Sequence, residues 1–113
     1  MGSKSRRKGK RGELEAAAEL RRLFGVPAQR GRQYHGCDDA PDVRVAIPRV
    51  HVEVKRTESL RLYAAIAQAV ADAGEHIPIV LHRANHKPWV AIVRLDDLLP
   101  LAVQIYLTLA EHR

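Results

Sequence analysis

From Pro41 to Lys55 the chain reads Pro-Asp-Val-Arg-Val-Ala-Ile-Pro-Arg-Val-His-Val-Glu-Val-Lys, with apolar and polar positions alternating through most of it. Val43, Val45 and Ile47 fall on one face, and Asp42, Arg44 and Ala46 on the other. Val50, Val52 and Val54 then alternate with His51, Glu53 and Lys55. Period-two alternation of β-branched residues predicts two half-buried strands. The short Ile47–Val50 connection makes them a hairpin, and Pro48 leaves its turn type open. A slip of one residue would turn every valine of one strand into water, so burial constrains the register. The expected pairs are Val45 with Val52, Val43 with Val54 and Ile47 with Val50. On the polar face that register sets Asp42 opposite Lys55 and Arg44 opposite Glu53.

The pattern elsewhere changes period. Leu14, Ala17, Ala18, Leu20, Leu23 and Phe24 recur near helical spacing and predict a helix over 11–24, closed by Gly25 and Pro27. An irregular strand is expected over 26–33 and a loop over 34–40. A second helix is expected over 60–73, with Ser59 as N-cap, Gly74 as stop and Leu62, Ile66, Ala69, Val70 and Ala73 as its core stripe. Residues 77–83 and 89–94 read as strands, and the unbroken apolar run at Ile79–Leu81 predicts a central one. The last helix is expected to be capped by Asp96, or to begin at Pro100. It is apolar almost all round, which requires burial on more than one side. In so small a chain the second partner is expected to be another copy. A homodimer follows, with Leu101, Ile105, Tyr106 and Leu109 at its interface. The whole is an α/β domain around a mixed sheet.

Charge adds a division that hydropathy does not. The 113 residues carry a net charge of +6. Six cations and no acid lie in residues 1–11, and the rest of the chain holds thirteen cations against thirteen acids. The chain therefore divides into a basic arm, 1–11, and a single domain, 12–113. Such a block is expected to be disordered and to bind polyanions, nucleic acid first among them. No stretch approaches the length of a membrane span, and no apolar segment follows the basic start as in a secretory signal. One cysteine, Cys37, cannot form an internal disulfide, so a cytoplasmic, DNA-associated protein is expected.

The hairpin also carries candidate chemistry. Directly opposed side chains lie roughly 5 Å apart at Cβ and diagonal ones about 7–8 Å. Asp42 and Glu53 can then share a hard divalent cation through oxygen ligands, with Lys55 beside them to orient a water or neutralise charge. Mg²⁺ keeps several waters and accepts a phosphate oxygen, and Mn²⁺ is a possible substitute. The plain alternative is a solvated strand face of mixed charge. Arg30 and Arg32 share a face of the irregular strand if it is extended, where they could contact phosphates or simply face water.

Pro41-Asp42 followed by Glu53-Val54-Lys55 resembles the PD-(D/E)xK nuclease superfamily. Within it the chain is similar to the archaeal-type Holliday junction resolvases, a group also found in phages. The resemblance spans Lys8 to about Leu98 and implies a restriction-endonuclease-like fold, a mixed β-sheet flanked by helices. Lys8-Gly9-Lys10-Arg11-Gly12-Glu13 matches the family's basic, glycine-containing opening. It implies Glu13 as a third metal-binding acid, although acids in a first helical turn also suit the helix dipole. Glu15 is the rival and points to another side of the helix. Gln68 matches a family glutamine beside the active site; otherwise it is a solvent-facing residue. The family often carries a serine in the mobile loop, where Cys37 stands here, and Cys37 is read as non-catalytic.

The expected function is therefore Mg²⁺-dependent hydrolysis of DNA at four-way junctions by a homodimer. Glu13, Asp42, Glu53, Lys55 and Gln68 form the catalytic set. Glu13, Asp42, Glu53 and the Val54 backbone carbonyl bind the metal. Lys8, Lys10, Arg11, Arg30, Arg32 and Arg56 hold DNA phosphates. The alternatives are another small nuclease of the superfamily, acting on flaps or in repair or restriction, and a non-catalytic basic DNA-binding protein on the same fold.

Overall fold

The structure is a computed structural model that describes residues 2–31 and 40–112, with side chains from residue 9 onward. Eight elements follow in order: α1 (Gly2–Phe24), β1 (Ala28–Arg30), β2 (Val43–Val45), β3 (Val50–Lys55), α2 (Leu62–Ala73), β4 (Ile77–His82), β5 (Val90–Ile92) and α3 (Leu95–Glu111). The strands form one mixed sheet in the order β1-β2-β3-β4-β5. β3 and β4 are parallel and the other neighbours antiparallel. Parallel neighbours need a crossover, and α2 supplies it. The α/β architecture expected from the alternating periods is the one found.

The helices cover both faces of the sheet. Ala16, Ala17 and Leu20 of α1 pack with Ala28, Val43, Val52, Ile79 and Leu81, and Leu101 of α3 joins them. Ala65 and Ala69 of α2 pack on Val80, with Ile92 beside them. Alternate residues of β4 thus serve opposite layers, which makes it the central strand that its apolar run predicted. No described helix is long and apolar enough to cross a membrane.

Several boundaries and phases differ from expectation. α1 begins at Gly2, not at Arg11, so the basic segment continues the helix. It ends as expected at Gly25, whose φ of 65° suits glycine and whose N–H bonds to the Arg21 carbonyl at 2.9 Å. β1 is only three residues long. α2 starts at Leu62 with Arg61, not Ser59, at its N-cap. It sits on Ala65, Ala69 and Ala73, spaced four apart, while Leu62 stays 43% exposed. Small side chains let the helix lie close to the sheet, and that phase outweighed the stripe of larger residues. α3 starts at Leu95, so Pro100 lies inside it and Arg94 is the cap residue.

The hairpin register also differs. Val43 pairs with Val52, two positions from the expected partner. Asp42 donates its N–H to the carbonyl of the same Val52 at 2.9 Å. Two residues against one is the arrangement of a β-bulge, which re-aims side chains. The connection back to β3 passes through Arg49 in the left-handed region, φ 67°. A shift of two keeps every valine on its expected face, so hydropathy alone does not oppose it. β3 itself is buried on both sides: Val52 is 2% exposed, and His51 and Glu53 on the α2 face are 4% and 7% exposed. The polar face expected to meet water is covered by α2.

Candidate functional site

Glycine sets the first approach. Gly12 is packed against the end of β3, where an added Cβ would stand 2.6 Å from Cβ of Arg56. Only a residue without a side chain lets α1 lie that close, and the next residue, Glu13, is thereby brought to the edge of the hairpin. Gly31 does the same for the second acid. An added Cβ there would meet the Pro41 carbonyl oxygen at 2.1 Å, and the Gly31 N–H bonds to the Asp42 carbonyl at 2.8 Å. The sequence pattern marks Gly31 only as an irregularity in a strand.

Asp42 stands between the other two acids. One of its carboxylate oxygens accepts the Val54 N–H at 2.8 Å. Within a strand, N–H and C=O of one residue leave by the same edge, so the Val54 carbonyl also faces the Asp42 side. Glu53 lies beside Asp42, and its pKa is pushed up from 4.5 to about 8. Burial is the main cause, followed by the neighbouring Asp42 carboxyl and by the charge of Asp72; Lys55 opposes the rise. Glu13 also lies beside Asp42, and its pKa is raised, first by burial and then by the Asp42 charge, with Arg30 opposing. Glu13, and not Glu15, reaches the hairpin acids.

Each outer acid has a further partner. Glu13 accepts a charge-assisted hydrogen bond from Arg30 at 2.6 Å. Glu53 lies 2.7 Å from Nε2 of His51. His51 and Asp72 are the two neighbours that sequence reasoning missed. Alternation does put His51 on the face of Glu53 and Lys55, but nothing in the strand says that a helix covers it. Lys55 donates from Nζ to Oε1 of Gln68 at 3.4 Å, which sets Gln68 beside Lys55.

The proposed phosphate contacts separate into groups. Lys10 and Arg11 are exposed on α1, within one turn of Glu13. Arg30 is drawn to Glu13, as above. Arg56 instead braces the fold. Its side chain is 14% exposed and lies 3.5 Å from Glu15. It donates to the Arg83 carbonyl at 3.2 Å and to Asn85 at 3.0 Å. It ties α1 to the loop after β4. Arg32, Cys37 and the side chain of Lys8 lie outside the described residues.

The oxygen donors suit a hard cation of the Mg²⁺ or Mn²⁺ kind. Carboxylates this close repel when ionised, and a proton on Glu53 relieves that in the metal-free protein, as a cation would. Among the described residues no group of three or more His, Cys, Asp and Glu side chains is arranged as a ready metal cage. Arg30 and His51 hold the outer acids, and Asp42 lies between them. Comparison with protein-family models, curated proteins and solved structures finds no match to this chain.

Proposed function

We propose that this chain is a divalent-metal-dependent endonuclease that cuts branched DNA, with four-way junctions as its preferred substrate and a two-fold homodimer as its working form. The observation that carries the reading is the row of carboxylates Glu13, Asp42 and Glu53 across the meeting point of α1, β2 and β3, with Lys55 and Gln68 alongside. Glu13, Asp42, Glu53 and the Val54 carbonyl would hold Mg²⁺ or Mn²⁺. Such an ion, when bound, acidifies water and stabilises phosphoryl charge.

The chain's own residues do the rest. Lys55 offers its ammonium to charge developing on the phosphate, and Gln68 fixes the direction of that ammonium. Asp42 is oriented by the Val54 N–H. Lys8, Lys10, Arg11 and Arg32 would hold DNA phosphates. Junction resolution needs two symmetry-related cuts, and an isologous dimer sets two identical sites in a fixed relation. α3 favours such a dimer, because Leu95, Leu99 and Tyr106 are 83%, 73% and 72% exposed in the single chain.

The test is a cleavage assay with Mg²⁺ on a four-way junction, a flap and a linear duplex, using wild type and Glu53→Gln. The wild type should cut the junction in paired strands. Glu53→Gln should bind the junction as well or better and leave it intact. Preference for the flap would indicate another small nuclease. Binding without metal-dependent cleavage in wild type would leave only a DNA-binding protein.

A further inference from the structure

Beside the carboxylates lies an open cleft of about 230 Å³, between the end of β3, the connection to α2 and the first turns of that helix. Lys55, Thr57, Ser59, Arg61 and Gln68 supply its polar lining, and Ala64 and Ala65 are among its apolar lining residues. Among the described residues no carboxylate lines it. Lys55 belongs to both places: it lines the cleft and its charge acts on Glu53. Arg61 belongs to the cleft alone. Its side chain is exposed, and that side chain makes no hydrogen bond or ion pair with the described residues. By contrast Arg22, Arg30, Arg56, Arg83 and Arg94 are each engaged with a carboxylate.

We propose that this cleft is a subsite for one phosphodiester group of the DNA strand being cut, next to the scissile phosphate, and that Arg61 is its principal contact. The inference rests on the nuclease reading for the identity of the strand. The chemistry of the lining selects the group. Two cations, two hydroxyl-bearing side chains and an amide suit a phosphate, and the fork of a guanidinium matches its oxygens. The volume lies below the range of pockets that enclose a whole drug-sized ligand, and the cleft is open, as a passing backbone requires. Alanines in the lining let the sugar-phosphate chain come close. Lys55 joins the two places, so a strand whose scissile phosphate meets Asp42 and Glu53 delivers a neighbouring phosphate to Arg61.

The experiment measures binding of a four-way junction by wild type and Arg61→Ala across a salt series, with Ca²⁺ in place of Mg²⁺ to hold back cleavage. Arg61→Ala should bind about tenfold or more weakly, as for loss of a charged hydrogen bond. The slope of log K against log salt should fall in magnitude by about 0.9, one phosphate contact. A neutral methylphosphonate is then placed at each phosphate around the cut in turn. At one position it should weaken wild type and leave Arg61→Ala unchanged. Equal binding by the two proteins, or loss at every position by the same factor in both, would overturn the subsite. A third arm titrates inorganic phosphate and a nucleoside monophosphate against the Arg61 side-chain NMR signal. Saturation by either, with junction binding undisturbed, would mean a small-anion site and also overturn it. If wild type binds as described but never cleaves, the nuclease reading fails and the phosphate contact stands.

Discussion

Glu53 should make the metal-free protein lose stability as pH rises. It is 7% exposed, and its pKa rises from 4.5 to about 8 through burial and the charges of Asp42 and Asp72. The folded state therefore keeps a proton that the unfolded state releases. Between those two values the native state binds more protons, so stability falls as pH increases. The loss begins as the unfolded carboxyl ionises near 4.5 and is complete above about 8. At about 1.36 kcal/mol per pH unit the full effect has an upper bound of roughly 5 kcal/mol. Glu53→Gln removes the titration while keeping the shape and a partner for His51. Urea unfolding of both proteins across this range, without divalent metal, is the assay. The variant should match wild type at the acid end and exceed it by about 3–5 kcal/mol at the alkaline end. Parallel curves would refute the reasoning, because they would mean that Glu53 ionises in the folded protein as easily as in the unfolded one. Under the nuclease reading, metal binding near neutral pH should also release about one proton, detectable by calorimetry in buffers of different ionisation enthalpy.

Gly12→Ala places a methyl group 2.6 Å from Cβ of Arg56, and should cost about 1–3 kcal/mol by urea unfolding, with cleavage falling further as Glu13 is displaced. Gly31→Ala meets a backbone oxygen at 2.1 Å, so it should cost more than Gly12→Ala in the same assay. Leu99→Glu with Tyr106→Glu, both on the exposed side of α3, should convert a dimer into monomers by light scattering. A wild-type mass of one chain would remove the dimer from the proposal. Deleting residues 1–10 removes Lys4, Arg6, Arg7, Lys8 and Lys10 and should reduce the salt slope of DNA binding by up to about 4.5; an unchanged slope would mean the segment does not touch DNA.

α3 turns Leu99 and Tyr106 to solvent and part of its apolar surface inward. Leu101 and Ile105, expected at an interface, line an apolar cavity of about 140 Å³ with Leu20, Phe24, Val52 and Leu81. Glutamate at either would disturb the monomer's own core. A helix that is apolar all round has no weak side in its pattern, so its phase is decided by the surface it meets.

The strands and helices themselves were legible in the sequence, because their periods are local properties of the chain. So was the face on which each valine of the hairpin lies. The acids and Lys55 could be assigned to one hairpin, with Glu13 and Gln68 entering through family resemblance. The offset of the hairpin was not determined, since a two-residue shift leaves hydropathy unchanged. The tertiary structure decided that Asp42 meets Glu53, through a bulge and the close approach of Gly31. It also decided that α2 covers His51 and Glu53, which converts an expected wet face into a buried one and raises the Glu53 pKa. Burial and proximity across more than one element depend on what packs above a face, whereas alternation along a strand records only which residues share that face.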